Sequence, residues 1–175
     1  MTTHLLGIDP GLNRTGYAVL VARSEIGPTL VEGGVIRSTK GSTLAERVFE
    51  IAHGLREVIL EFRPASIAIE QVFSHSQYPK TAVLMAHARG AILFVARDHE
   101  LPTAHYTPTQ IKRLLTGSGK AAKEQIQRAI QHELGLDRLL EPNDVADAAA
   151  VALCHYYATR AHQQMKPRGC NPSAS

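Results

Sequence analysis

The chain has 175 residues, 44% hydrophobic and 20% charged, with a formal net charge of +3 at pH 7. That length holds one domain around a single core and excludes a two-lobed machine such as an actin-like ATPase, while the composition excludes a low-hydrophobicity disordered chain. The longest uninterrupted apolar stretch, Ala148 to Cys154, is far too short for a membrane span. The N-terminus lacks a basic region followed by an apolar run, and Cys154 and Cys170 are too few for a disulfide framework. A cytoplasmic protein with no membrane contact is expected.

In chain order, residues 4–9 read as a short buried strand ending in Asp9. A turn at Gly11-Leu12-Asn13 leads to a second strand from Arg14 to Val21, and a third from Thr29 to Ser38, with a bulge expected at Gly33-Gly34. Three strands with short links predict an antiparallel meander. Thr43 and Glu46 have capping-box spacing, and Leu44, Val48, Ile51, Leu55, Val58, Ile59 and Phe62 follow at helical period until Pro64. Ser66 to Glu70 is a short strand that again ends in an acid, and the loop after it carries Phe73 and Tyr78. A helix from about Lys80 to Asp98 is apolar on more than one face, so it is sandwiched in the core or packed on a second subunit. A strand at Thr103–Tyr106 follows, then helices from Pro108 to Leu115, Ala122 to Leu134, and Pro142-Asn143 to about Arg160. The order predicts an α/β fold, a mixed central sheet with helices on both faces, over residues 1–162. Residues 163–175, rich in Pro, Gly, Asn and Ser, read as a disordered tail.

The small net charge hides an uneven layout. Between Glu70 and Glu124 the chain is mostly basic, with Lys80, Arg89, Arg97, Lys112, Arg113, Lys120 and Lys123; from Glu124 to Asp147 it is mostly acidic. Asp9 and Glu70 each close an apolar strand, where side chains project toward the rim that holds sites in α/β folds. Asp144 and Asp147, three residues apart, share one face of a helix whose next residues are Ala148-Ala149-Ala150. Favourable charge at a helix N-terminus accounts for Asp144. It accounts less well for Asp147, an acid entering a buried helix, which needs a partner such as a metal ion. Four clustered carboxylates repel unless a cation neutralises them, and hard oxygen ligands suit Mg²⁺ or Mn²⁺ rather than zinc. Two such ions per site support phosphodiester hydrolysis, with the basic middle segment holding the phosphate backbone.

Gly7-Ile8-Asp9-Pro10-Gly11 with Thr15-Gly16-Tyr17 resembles the first motif of the RuvC family of bacterial Holliday-junction resolvases. Ile69-Glu70-Gln71-Val72-Phe73 resembles the second, Ala88-Arg89-Gly90 a tripeptide of the long helix, and Asp144-Val145-Ala146-Asp147-Ala148 the terminal helix motif. The resemblance runs in order over roughly residues 4–160. It implies an RNase H-like fold with a mixed five-stranded sheet, a homodimer, and Mg²⁺-dependent paired nicking of four-way junction DNA in recombination and repair. It also implies work with the RuvA–RuvB branch-migration complex.

By the same resemblance Asp9, Glu70, Asp144 and Asp147 are the catalytic, metal-holding acids. Phe73 probes the junction, with Tyr78 assisting, and Lys112 and Lys123 lie near the cleaved strand with Lys120 as a third contact. His155, two turns beyond Asp147, reads as core rather than ligand. A twofold pair of sites suits two symmetric cuts, and Val83, Met85 and Phe94 of the over-apolar helix are the expected interface. A YqgF-type nuclease acting on RNA and a non-catalytic branched-DNA binder are the competing readings. The Glu-Gln-Val-Phe segment argues against the first and the four acids against the second.

Overall fold

The computed structural model describes residues 3–23, 27–71 and 79–165. Phe73, Tyr78 and residues 166–175 of the expected tail lie outside these residues, while residues 163–165, expected to begin that tail, are helical. The elements are β1 (Thr3–Asp9), β2 (Arg14–Arg23), β3 (Gly27–Arg37), α1 (Leu44–Phe62), β4 (Ser66–Glu70), α2 (Pro79–Asp98), β5 (Thr103–Tyr106), α3 (Pro108–Thr116), α4 (Lys123–Glu133) and α5 (Asn143–Met165). They follow the order read from the sequence, and α5 continues past the expected end near Arg160.

The strands form one five-stranded sheet in the order β3-β2-β1-β4-β5. β1–β2 and β2–β3 are antiparallel; β1–β4 and β4–β5 are parallel, so the sheet is mixed. Because strand side chains alternate, the sheet has a core on each face. Leu6, Ile8, Ile67 and Ile69 pack with Ile51, Leu55, Ile92 and Val95 under α1 and α2. Ala18, Leu20 and Ala68 pack with Ile111, Ile126, Ile130 and the Ala148–Cys154 run under α3, α4 and α5.

α1 begins as its sequence predicts. The Thr43 hydroxyl accepts from the Glu46 N–H, and the Glu46 carboxylate accepts from the Thr43 N–H at 2.7 Å. It ends at Arg63, in the left-handed region at φ 45°, just before Pro64. The bulge is displaced from its expected place. Val19 pairs with Glu32 and Leu20 with Leu30, which leaves Val31 as the extra residue. Gly33 and Gly34 stay in register, and a helix residue and an aromatic side chain lie close over them. A Cβ on Gly33 would lie 2.6 Å from a Val145 methyl, and one on Gly34 2.6 Å from the Tyr17 hydroxyl. Among the described residues no helix is long and apolar enough to cross a membrane.

Candidate active site

β1 and β4 are parallel neighbours with Ile8 opposite Ile69, so Asp9 and Glu70 end adjacent strands at the same edge of the sheet. Both follow apolar residues that anchor the strand, and both fall on the face that α5 covers. The first turn of α5 reaches them because glycines remove the side chains in its way. Gly16 pairs with Asp9 across β1–β2, and a Cβ there would lie 2.0 Å from the Asp144 carbonyl oxygen. A Cβ on Gly7 would lie 2.3 Å from the Ala148 carbonyl oxygen and 2.6 Å from the Ala152 nitrogen. Glycine on the strands and alanine on the helix therefore bring backbone against backbone and carry Asp144 and Asp147 to the ends of β1 and β4. Asn143 ties this end to α4, its side-chain oxygen accepting from the Gln127 amide at 2.9 Å.

The electrostatics record the convergence. Burial, then the Glu70, Asp147 and Asp144 carboxylates, push the Asp9 carboxyl up to about 8, against the pull of Lys123. Burial, then Asp147, push Glu70 up to about 7, against Lys112. Burial also raises Asp147, opposed by Lys123. Near neutral pH, Asp9 therefore favours its protonated form and Glu70 is partly protonated unless a cation takes the proton's place.

Two cations of the chain already engage the other pair. An Nη of Arg14 lies 2.7 Å from an Asp144 carboxylate oxygen, and Nζ of Lys123 lies 3.5 Å from Asp147. Among the described residues no three His, Cys, Asp or Glu side chains are drawn together as a ready metal-holding group. The donors fit a hard divalent cation in kind, four carboxylates without sulfur or imidazole, and two of them are paired with Arg14 and Lys123. A cleft of about 180 Å³ opens beside the acids, lined by Glu70 and Asp147, by Lys112 and Lys123, and by Pro108, Ile111, Ile126 and Ala150.

The four acids expected from the sequence thus share one rim, and two of the three expected lysines border it. Lys120 is exposed in the α3–α4 loop and does not line the cleft. His155 is buried, with one ring nitrogen 2.9 Å from the Ser66 hydroxyl and the other 2.9 Å from the Tyr106 hydroxyl, a structural tie between α5 and the sheet. In the sequence Arg14 reads only as the start of a strand. Its signal was a lone base directly before Thr15-Gly16 in the first motif.

The model of the family described as crossover junction endodeoxyribonuclease RuvC matches residues 5–155. The chain belongs to the RuvC family. It is 50% identical over 155 residues to the crossover junction endodeoxyribonuclease RuvC of Rhodopirellula baltica, covering 87% of this chain and 85% of that one. It is 42% identical over 151 residues to that of Moorella thermoacetica, covering 86% and 89%. The structure of Thermus thermophilus RuvC in complex with Holliday junction substrate superposes with a TM-score of 0.85 at 33% identity, covering 91% of this chain and 96% of that one. The RuvC likeness establishes the RNase H-like fold expected from the motifs.

Proposed function

We propose that this protein is a crossover junction endodeoxyribonuclease that resolves four-way (Holliday) junctions by paired, metal-dependent hydrolysis. One observation carries the reading. Asp9, Glu70 and the Asp144–Asp147 pair meet at one rim bordered by Lys112 and Lys123, in a chain of the RuvC family. The four carboxylates are the groups that would hold two Mg²⁺ ions, or Mn²⁺. Such ions would supply charge neutralisation on the phosphate and an activated water. Hydrolysis breaks the P–O3′ bond and leaves a 5′-phosphate and a 3′-hydroxyl, which a ligase can seal.

The chain's own residues bind and orient. Lys112 and Lys123 neighbour Glu70 and Asp147, and from there they reach the phosphates of the cut strand. Lys120 extends that basic track on the α3–α4 loop. Phe73 and Tyr78, shortly after Glu70 in the chain, stack on bases at the crossover. Two sites related by a twofold axis make symmetric cuts, so the protein works as a homodimer, in the cytoplasm, with the RuvA–RuvB complex delivering the junction.

The test is a synthetic four-way junction and a linear duplex, each with Mg²⁺ or EDTA. Paired nicks are expected in the junction alone and only with metal. Asp9→Asn should bind the junction without cutting it, and Phe73→Ala should bind but cut slowly. Equal cutting of the linear duplex would overturn the structure-selective reading.

A further inference from the structure

Arg14 opens β2, and its side chain crosses to the first turn of α5. One Nη lies 2.7 Å from an Asp144 carboxylate oxygen, and both side chains remain partly exposed. The Nε of the same guanidinium is enclosed and has no hydrogen-bond partner among the described residues. A guanidinium is best satisfied as a fork, with parallel donors on one planar acceptor. Arg14 instead reaches Asp144 with one arm and leaves its Nε idle, an arrangement that a second acceptor would improve. The Asp144 backbone cannot yield to either demand, because its carbonyl oxygen is seated against Gly16. Only the two side chains can part.

We propose that Arg14 is a resident counter-ion and positioning residue. In the DNA-free protein it occupies the Asp144 carboxylate and competes there with a divalent cation. When DNA binds, it transfers to a backbone phosphate of the bound strand, whose two non-bridging oxygens can accept from Nε and Nη together, and this frees Asp144. Metal loading is thereby coupled to substrate. The inference rests on the metal-dependent reading of the site.

The experiment measures Mn²⁺ binding by the DNA-free, full-length protein, from the electron paramagnetic resonance of unbound Mn²⁺. Arg14→Gln should bind Mn²⁺ about two- to fivefold more tightly than wild type, the range for a partly exposed ion pair. Arg14→Lys, which keeps the charge, should restore weaker binding. In EDTA, Arg14→Gln should lower the salt dependence of junction binding by about one counter-ion. The Mn²⁺-induced rise in Tm, taken within each variant, reads the same competition whatever the starting stability, and it should be larger in Arg14→Gln. An equal or smaller rise, with Mn²⁺ affinity no tighter than wild type, overturns the counter-ion role; an unchanged salt dependence overturns the transfer to phosphate. Asp9→Asn separates the two levels. If it leaves wild-type Mn²⁺ binding intact, the metal reading of the acids fails, whatever Arg14 does.

Discussion

Gly16 shows what a single residue contributes to this site. Its missing side chain lets the Asp144 carbonyl lie against β2, and an added methyl would meet backbone rather than a flexible side-chain tip. Gly16→Ala should therefore push the start of α5 off the sheet, with a loss of about 1–3 kcal/mol typical of overpacking. Urea denaturation would measure the loss. Junction cleavage should fall further than the folded fraction, because Asp144 and Asp147 move with the helix; unchanged stability and cleavage would refute the close approach. The sequence marked Gly16 as part of a motif, and only the fold supplies its reason. His155 went the other way. Its placement on an apolar helix already read as core, and hydrogen bonds to Ser66 and Tyr106 satisfy it there.

At the scale of elements, the site exists because two strand ends and one helix start converge, and the convergence stores repulsion. The folded Asp9 and Glu70 carboxyls lie well above their ordinary values of 3.8 and 4.5, at about 8 and about 7. The folded state therefore keeps protons that the unfolded chain has released. The stability these groups contribute is fully present below about pH 4 and is lost as pH rises through about 7 to 8. Metal-free protein should accordingly show a Tm that falls from about pH 5.5 to about pH 8.5. Asp9→Asn should flatten that fall, and Mg²⁺ should raise Tm more at the alkaline end. A pH-independent response to Mg²⁺, read by thermal denaturation, would count against cation binding at these carboxylates. Element types were legible because capping boxes, Pro64 and apolar periodicity act locally. The glycine pair suggests a bulge locally, but its glycines are required by the close approach of Val145 and Tyr17, contacts between distant segments, and the bulge falls at Val31.

Across the whole fold, α2 presents a face that no described residue covers. Val83 and Phe94 are 56% and 67% exposed, and a side chain on Gly90 between them would meet nothing within 4 Å. Val83, His87, Gly90 and Phe94 repeat at helical spacing, so they form one stripe with a small residue at its middle. Such a stripe suits close crossing by the same helix of a second copy. Of the residues expected there, Val83 and Phe94 are exposed while Met85 is half-buried. Phe94→Glu should shift sedimentation to a monomer and turn paired nicks into isolated ones, while DNA-free Mn²⁺ binding stays as in wild type. A dimer that survives Phe94→Glu would move the interface elsewhere.

The order and type of the elements, the two strand-end acids, the helix-borne Asp pair and the family are all legible along the chain. Each is written in local periodicity, in capping chemistry or in short contiguous motifs. Tertiary structure decided what depends on contacts between distant segments. It decided that the four acids share one rim, that Lys112 and Lys123 border it while Lys120 does not, and that Arg14, 130 positions from Asp144, grips that carboxylate. The reason is geometric: strand and helix periods say which way a side chain points, but only the packing of α5 onto the glycines of β1 and β2 says what it meets.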